Sequence, residues 1–213
     1  IDKVLFEQWH FRRLVNHIGA DLLHVPYWAP PLRSPLPFVV TVHDIIPLML
    51  PEYRGSIGDR LYTAMVSAAT QGAEMVIADS YSSRSDLLSH LHLPNDQVRV
   101  IHLSVGQQYQ PSDSIDVDPD ICRRYGLSQN YVLYLGGFHH RKNVHRLLEA
   151  WTWAADAIGE EYPLVVAGQL PTHADGRLFH DLPMLANRLG VADTVRFIGP
   201  VKEEDKPALY QGA

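Results

Sequence analysis

The sequence has very little cysteine, and this shortage excludes one class of protein. Of its 213 residues only Cys122 is a cysteine, so the chain cannot form an internal disulfide. Small secreted domains that depend on disulfides are therefore excluded, and a single cysteine suits a reducing compartment. The sequence thus predicts a cytoplasmic location.

Long apolar runs are also missing, since no stretch approaches the ~20 residues that a membrane-spanning helix needs. The most apolar loop, residues 45–51, is short and is interrupted by Pro47 and Pro51. We interpret it as a buried loop, and we expect contact with a membrane to be peripheral at most, at its inner face. The chain opens at Ile1 with charged residues instead of an apolar signal core, and we expect it to be a piece of a longer protein.

Positive charge is not in excess. The chain has 18 Lys and Arg residues against 24 Asp and Glu residues, a formal net charge of −6. Nucleic-acid binding needs a basic face that neutralises phosphates, so no nucleic-acid partner is predicted. Apolar residues make up 46% of the chain, which is enough for the buried core of one large domain or two small ones.

Apolar runs and helical patterns alternate along the chain, which is typical of βαβ units with a parallel sheet. The runs lie at 21–25, 38–42, 75–78, 98–101, 131–135, 164–168 and 194–199. A polar stretch with proline separates the fourth run from the fifth. The sequence therefore predicts an α/β protein with a first domain at 1–110, a linker at 111–129 and a second domain at 130–213. A complete doubly wound domain has about five or six strands, so both domains are expected to be incomplete.

Two helices in the first half show apolar residues at helical spacing. One covers residues 3–18 and ends at Gly19, and the other covers residues 57–71. Their predicted apolar faces are Leu5, Trp9, Leu14 and Ile18 in the first, and Leu61, Met65, Ala68 and Ala69 in the second. Ser80 or Ser82 is expected to cap the helix that follows the third apolar run.

The fifth run leads into a candidate anion site. The strand breaks at Gly136 and Gly137, and Arg141 and Lys142 stand just before a helix that is predicted to begin at Asn143. A helix N-terminus exposes unpaired N–H groups and a partial positive charge, and two cations beside it deepen that potential, so a phosphate could bind there. Spacing alone favours the alternative, a basic pair on a solvated loop, because neither common phosphate-binding motif is present.

Two adjacent histidines, His139 and His140, precede the cations. Neighbouring side chains in a tight loop rarely converge on one ion. The sequence therefore predicts no metal site.

A second candidate site follows the buried run 38–42, which delivers His43 and Asp44 at its carboxyl end. In open α/β sheets, ligands bind outside those ends. A histidine there could transfer protons or donate a hydrogen bond, and the adjacent aspartate could orient it. The alternative is a structural histidine that caps the strand loop.

Several of these segments resemble the family 4 (group 1) retaining glycosyltransferases of the GT-B fold. The glycine turn followed by RKN and a leucine-rich helix is similar to the donor-domain loop of that family. VVTVHDIIPL is similar to its acceptor-domain motif, in which a histidine faces the cleft near the transferred sugar. VIADSYSSRSDLLSHL and VRFIGPVKEEDKPALYQGA resemble further family segments, so that the likeness runs from about Leu5 to Ala213.

The resemblance implies two Rossmann-like domains and transfer of a sugar, with retention of anomeric configuration, to an acceptor hydroxyl. The donor would be a UDP-, GDP- or ADP-sugar, the acceptor a glycan, a lipid-linked or a small molecule, and neither metal nor cofactor is expected. The implied catalytic residues are His43, Arg141 and Lys142. The implied donor-binding residues are Gly136, Gly137, Arg141, Lys142, Asn143 and the backbone around Val201.

Two alternatives stay open from the sequence. A sugar-nucleotide epimerase would share the fold and the phosphate site, but it would need acidic residues around the sugar ring. A non-catalytic nucleotide-sugar-binding fragment is favoured by the incomplete domains. The family's pair of glutamates would lie outside this sequence, so the fragment alone is expected to be inactive.

Overall fold

The computed structural model describes residues 2–110, 118–127, 130–172, 176 and 178–213. The chain divides into two compact units, unit 1 at Ile1–Ser104 and unit 2 at Val105–Ala213. Each unit combines helices with a parallel sheet, so the predicted α/β class with parallel sheets is confirmed. Across the described ranges, every helix is too short or too polar to cross a membrane.

Unit 1 contains a parallel sheet in which helices connect successive strands, except the first two, which the loop at 26–37 joins. Its strands are β1 (Leu23–Val25), β2 (Phe38–Val42), β3 (Met75–Ala78) and β4 (Val98–Val100), in the order β1-β2-β3-β4. Its helices are α1 (Asp2–Leu5), α2 (Phe11–Ile18), α3 (Ile46–Met49), α4 (Ile57–Thr70) and α5 (Tyr81–Leu91), with a π-helical turn at Phe6–His10 and a 3-10 turn at Pro51–Tyr53. Val40, Val42 and Val76 of the central strands are fully buried, as near-continuous apolar strands of a parallel sheet should be.

The N-terminal helical segment buries a different face from the predicted one. The predicted face is exposed: Leu5, Trp9, Leu14 and Ile18. Glu7 and Val15 are buried instead, and the Glu7 carboxylate accepts a hydrogen bond from the Tyr62 hydroxyl at 2.7 Å. The π-helical turn at Phe6–His10 adds a residue to one turn and so shifts the phase of the side chains beyond it. Gly19 ends α2 in the left-handed conformation, as predicted.

The buried face of α4 is rotated from the predicted one. It consists of Val66, Ala69 and Thr70, so the prediction is confirmed for Ala69, whereas Leu61 is 67% exposed. The Thr70 hydroxyl accepts a hydrogen bond from the indole N–H of Trp28 at 3.0 Å and donates one to the Val66 carbonyl at 2.7 Å. Because its polar group is paired in both directions, Thr70 can be buried at little cost.

Helix caps agree with the sequence. Ser80 precedes α5, and its hydroxyl accepts a hydrogen bond from the N–H of Ser83 at 3.0 Å. Ser56 and Asp59 form a reciprocal capping box at the start of α4. Each cap pairs N–H groups that the first helical turn would leave unsatisfied.

Unit 2 contains a second parallel sheet, with the strand order β5-β6-β7. Its strands are β5 (Val132–Leu135), β6 (Leu164–Ala167) and β7 (Val195–Gly199). Its helices are α6 (Pro119–Tyr125), α7 (Val144–Ile158), α8 (Leu182–Arg188) and α9 (Lys206–Gln211), with 3-10 turns at His140–Lys142, Ala192–Thr194 and Glu203–Asp205.

Helices cover both faces of this sheet. Strand β6 is buried along its whole length, and successive side chains of a strand point to opposite faces. Leu164 and Val166 pack in one cluster with Leu148 of α7 and with residues of α8. Val165 packs in the other cluster with Leu209 of α9 and with α6. The carboxyl ends of the three strands are thereby held at one edge of a rigid layer.

The boundary between the units falls at Ser104, and the second half of the segment predicted as linker joins unit 2. Ile121 of α6 is buried against Leu209 of α9. The Arg124 guanidinium, also on α6, forms an ion pair with the carboxylate of Asp205. Residues 111–117 and 128–129 of that segment lie outside the described residues.

Candidate active site

The basic turn, which we define as His140–Lys142, connects β5 to α7. Gly136 and the exposed Gly137 follow β5, and α7 begins at Val144, one residue after the predicted start. Asn143 lies between the basic turn and α7 and adopts the left-handed conformation, with φ of 54°. Asparagine tolerates this conformation better than most residues. The side chain of Asn143 makes no capping hydrogen bond, but its carbonyl accepts from the N–H groups of Arg146 and Leu147, so only the N–H groups before these two could bind a ligand.

The two cations of the basic turn are exposed and, among the described residues, neither Arg141 nor Lys142 forms an ion pair. Other cations in the described part of unit 2 do form ion pairs: Arg123, Arg124, Arg146, Lys202 and Lys206. The positive potential at the start of α7 is therefore not neutralised by a neighbouring carboxylate.

Glycines stand at the carboxyl ends of β5, β6 and β7, where the backbones of neighbouring strands approach closely. The N–H of Gly136 donates to the carbonyl of Ala167 at 3.1 Å, and the N–H of Gly168 donates to the carbonyl of Gly199 at 2.8 Å. Gly168 has φ of 142°, and a Cβ at this position would lie 2.2 Å from the carbonyl oxygen of Gly136. Only glycine fits at Gly168, and the closely spaced strand ends leave backbone exposed near the turn.

Val201 follows the end of β7. Its half-buried side chain packs against the cluster that contains Val165 and Leu209. The next N–H, that of Lys202, donates to the hydroxyl of Tyr125 at 3.2 Å. The segment is therefore fixed to α6, and contact of its backbone with a nucleotide base stays a prediction.

An open groove of about 710 Å³ lies elsewhere on unit 2. Its lining includes Tyr109, Leu135, Lys206 and Tyr210. None of the predicted site residues lines it.

His43 in unit 1 is exposed at the carboxyl end of β2, and both of its ring nitrogens contact acceptors. Nδ1 lies 2.7 Å from the carboxylate of Asp79, and Nε2 lies 3.1 Å from the carbonyl oxygen of Pro26. Only the doubly protonated ring can donate to both acceptors at once. In agreement, the hydrogen bond to Asp79 raises the pKa of His43 above its ordinary value, opposed by partial burial and assisted by the charge of Asp79 and by the Pro26 carbonyl.

The carboxylate that orients His43 is that of Asp79, which the sequence analysis does not identify, and not that of Asp44. The register of β2 and β3 pairs Val42 with Ala78, so the next residues, His43 and Asp79, are neighbours at the sheet edge. Asp44 points elsewhere: its carboxylate accepts a hydrogen bond from the N–H of Ile46 at 3.2 Å. The pairing of parallel strands is the signal that could have identified Asp79.

One carboxylate oxygen of Asp79, Oδ1, is buried and has no hydrogen-bond partner among the described residues. The other, Oδ2, faces His43. A buried carboxylate oxygen without a partner carries a desolvation cost, and the charged ring of His43 beside the other oxygen would offset part of that cost.

Three histidines of unit 2 converge beside the basic turn: His140, His145 of α7, and His180 just before α8. Nδ1 of His140 and Nε2 of His180 share a hydrogen bond of 2.8 Å. Burial lowers the pKa of His145, and the neighbouring His180 and His140 lower it further. His139, the other member of the histidine pair in the sequence, instead packs against the ring of Phe179, with a centroid distance of 4.5 Å and an angle of 45° between the ring planes.

Comparison with known families agrees with this division of the chain. The model of Glycosyltransferase Family 4 matches residues 2–106, and the model of Glycosyl transferases group 1 matches residues 124–213. Together the two models cover most of the chain.

Relatives of known activity are glycosyltransferases. The chain is 28% identical over 176 residues to O-antigen chain mannosyltransferase B of Escherichia coli, covering 82% of this chain and 45% of that protein. It is 28% identical over 212 residues to D-inositol 3-phosphate glycosyltransferase of Salinispora arenicola, covering 91% of this chain and 47% of that protein. The chain thus spans about half the length of these relatives.

Solved structures share the fold. Anabaena HepE in complex with UDP and glucose matches with a TM-score of 0.60 at 20% identity, over 84% of this chain and 45% of that one. A glycosyltransferase from Rickettsia africae matches with a TM-score of 0.61 at 17% identity, over 99% of this chain and 54% of that one. The parallel sheets of both units, the two successive family models and these neighbours lead to one assignment: the chain belongs to the family 4, or group 1, glycosyltransferases of the GT-B fold.

Proposed function

We propose that this chain supplies the acceptor-side unit and the nucleotide-sugar-binding part of a retaining glycosyltransferase. The observation that carries the proposal is the basic turn: two exposed cations without ion-pair partners among the described residues, placed between a glycine strand end and the uncapped start of α7. Such an arrangement fits a diphosphate, because both the side chains and the helix N-terminus attract negative charge.

Arg141 and Lys142 act on the leaving group in this proposal. Cleavage of the sugar–phosphate bond leaves growing negative charge on the nucleoside diphosphate. Cations that are already in place stabilise that charge without reorganisation, and such stabilisation is often the largest catalytic contribution. No metal ion is expected to take part in the transfer itself.

His43 provides a positioned cation in unit 1, with Asp79 as its positioning residue. Both ring nitrogens lie within hydrogen-bonding distance of acceptor oxygens, so the doubly protonated ring that satisfies both has no free lone pair with which to accept a proton. Its Nε2 lies 3.1 Å from the Pro26 carbonyl, the longer of the two contacts. If that contact opens, Nε2 can donate a hydrogen bond to a sugar hydroxyl instead. Its role in this proposal is therefore to hold and polarise the sugar.

The donor is proposed to be a UDP-, GDP- or ADP-sugar, and the acceptor a glycan, a lipid-linked or a small molecule. The relatives include mannosyltransferases, and a structural neighbour holds UDP and glucose. Mannosyl and glucosyl donors are therefore the first to test. The cytoplasmic location, with at most peripheral membrane contact, belongs to the same proposal.

A panel of nucleotide-sugars tests the proposal on the intact protein. A cognate donor should raise the melting temperature, because it binds the native state and not the unfolded chain. With an acceptor present, NMR of the product should show the anomeric configuration of the donor. Failure of every nucleotide-sugar to bind would contradict the donor site, an inverted product would contradict retention, and epimerisation of the donor without transfer would show an epimerase instead.

A further inference from the structure

We propose that His140, His145 and His180 form a binding site for a divalent transition-metal ion, with Zn²⁺ as the first candidate. The candidate ligand atoms of the three side chains lie within 4.8 Å of one another, and all three residues are half-buried. Within the described residues, these three histidines are the one group of His, Cys, Asp or Glu side chains that is arranged closely enough to hold a metal ion. The inference does not depend on the proposed transfer reaction.

Backbone contacts bring the histidines together. The N–H of His140 donates to the carbonyl of Leu178 at 2.7 Å, and His139 forms an antiparallel bridge with Phe179. His180 is therefore held against the basic turn by main-chain bonds. His145 stands on the first turn of α7, five residues after His140, and faces the same space.

The imidazole rings touch one another on all sides of the cluster. Ring centroids are 4.9 Å apart for His140 and His145, 5.0 Å for His140 and His180, and 4.4 Å for His145 and His180. A tetrahedral zinc ion has Zn–N bonds of about 2.0–2.1 Å, which places its ligand nitrogens about 3.3 Å apart. In the structure the candidate ligand nitrogens are 2.8 Å apart for His140 and His180, and all lie within 4.8 Å of one another. Small side-chain rotations would bring each pair to the separation that zinc requires.

The ligand set selects the type of ion. Neutral imidazole nitrogens suit Zn²⁺, Cu²⁺ and Ni²⁺, whereas Ca²⁺ and Mg²⁺ take oxygen ligands. Three protein ligands leave a fourth position for water or for an oxygen atom of a bound molecule. An ion at this site would fasten residues 178–180 to the basic turn and so fix the turn that carries Arg141 and Lys142.

Titration of the metal-free intact protein with Zn²⁺ alone tests the site by calorimetry. We expect one Zn²⁺ per chain, and no binding of Mg²⁺ at the same concentrations. His145→Ala and His180→Ala should each weaken Zn²⁺ binding by more than the roughly 10–100-fold that loss of an outer-shell partner costs. His90→Ala is the matched control, because His90 is an exposed helical histidine of unit 1. Zinc binding that is unchanged in the first two variants, or absent from the wild type, overturns the proposal.

A second measurement needs only the wild-type protein and so does not depend on whether the variants fold. Imidazole NMR signals of His140, His145 and His180 should shift together on addition of one equivalent of Zn²⁺, while that of His90 stays in place. Shifts spread over the exposed histidines, without these three, would show adventitious binding and would contradict the site.

Discussion

Two acceptors hold His43 in place, and this determines its charge. Asp79 Oδ2 and the Pro26 carbonyl each need an N–H from the ring. The ring is half exposed, so water screens part of the interaction. Even so, the hydrogen bond to Asp79 raises the pKa of His43 above its ordinary value and so favours the charged form of the ring.

The first prediction concerns that pKa. NMR titration of the intact protein should give His43 a pKa above the ordinary value of about 6.5. Asp79→Asn should lower it, because the amide neither carries charge nor accepts as strongly. Asp44→Asn should change it far less, since Asp44 is the smallest of the contributions. Equal shifts in both variants would contradict the assignment of Asp79.

The second prediction is the pH dependence of stability that follows from the same contact. A folded-state pKa above the unfolded value means that folding favours proton binding. The stabilisation is therefore fully present below about pH 6.5 and is lost as pH rises through the folded pKa. Denaturation of wild type and Asp79→Asn at several pH values should show a difference in free energy of unfolding that shrinks across this window. A difference that grows with rising pH would contradict it.

At this scale the sequence predicts residues whose role depends on their own segment. The positions of His43 at a strand end and of Arg141 and Lys142 before a helix are predicted correctly from the sequence, and their roles stay predictions. Asp79 cannot be identified in this way, because its role depends on the register of a neighbouring strand. His180 is 40 residues from its partner His140, and only the folded backbone brings them together.

The packing of strand ends leads to a third prediction, at the scale of elements. Gly168→Ala should destabilise unit 2, because a Cβ there would meet the Gly136 carbonyl at 2.2 Å. The unfavourable backbone conformation alone costs roughly 1–3 kcal/mol, and the clash adds to it. Gly126→Ala is the control: Gly126 also has positive φ, at 63°, but nothing lies within 4 Å of its added Cβ. Chemical denaturation that finds Gly168→Ala no worse than Gly126→Ala would contradict the close approach.

The attachment of α6 to the segment before α9 gives a fourth prediction. The buried Asp205 carboxylate accepts a hydrogen bond from the Tyr125 hydroxyl at 2.7 Å and two from the Arg124 guanidinium at 2.5 and 2.6 Å. The Tyr125 hydroxyl first, and then Arg124, lower the pKa of Asp205. Since the folded pKa lies below the unfolded value of about 3.9, the stabilisation is present above that pH and is lost as pH falls through the folded pKa.

Asp205→Asn should therefore lower the melting temperature at neutral pH, and the loss should disappear in acid. Asp193→Asn, a change at an exposed aspartate of the same unit, should have little effect at either pH. Thermal melts at neutral and acid pH check this. A loss of the same size at both values would show that Asp205 acts by packing and not by charge.

Among the elements, the strands are the best predicted from sequence, because a buried parallel strand is nearly continuous in apolar residues. Helix faces are less well predicted. In the N-terminal segment a π-helical turn changes the phase, and in α4 the paired hydroxyl allows the polar Thr70 to be buried beside Val66 and Ala69. The polar sequence at 111–129 predicts a linker that leads into a short helix around 121–125; the helix is α6, and the ion pair between Arg124 and Asp205 joins it to unit 2.

At the scale of the whole molecule, the chain consists of two units with different proposed tasks. Unit 1 offers the His43–Asp79 pair at one sheet edge, and unit 2 offers the basic turn at another. The sequence predicts both units because each repeats the same strand–helix alternation. It does not predict the histidine cluster, which combines side chains from three separate segments of unit 2.

The most direct test of the central claim compares transfer rates of the intact enzyme with Lys142→Ala and with Arg146→Ala. Both residues are exposed cations near the start of α7, so each change should alter the free energy of unfolding by no more than about 0.5 kcal/mol. Arg146 is paired with Glu149, whereas Lys142 is proposed to face the diphosphate. Lys142→Ala should lower turnover on the order of 10²–10³-fold, the effect of removing one preorganised charge-stabilising group, while Arg146→Ala stays near wild type. Equal turnover in the two variants would contradict the claim that the basic turn holds the leaving group.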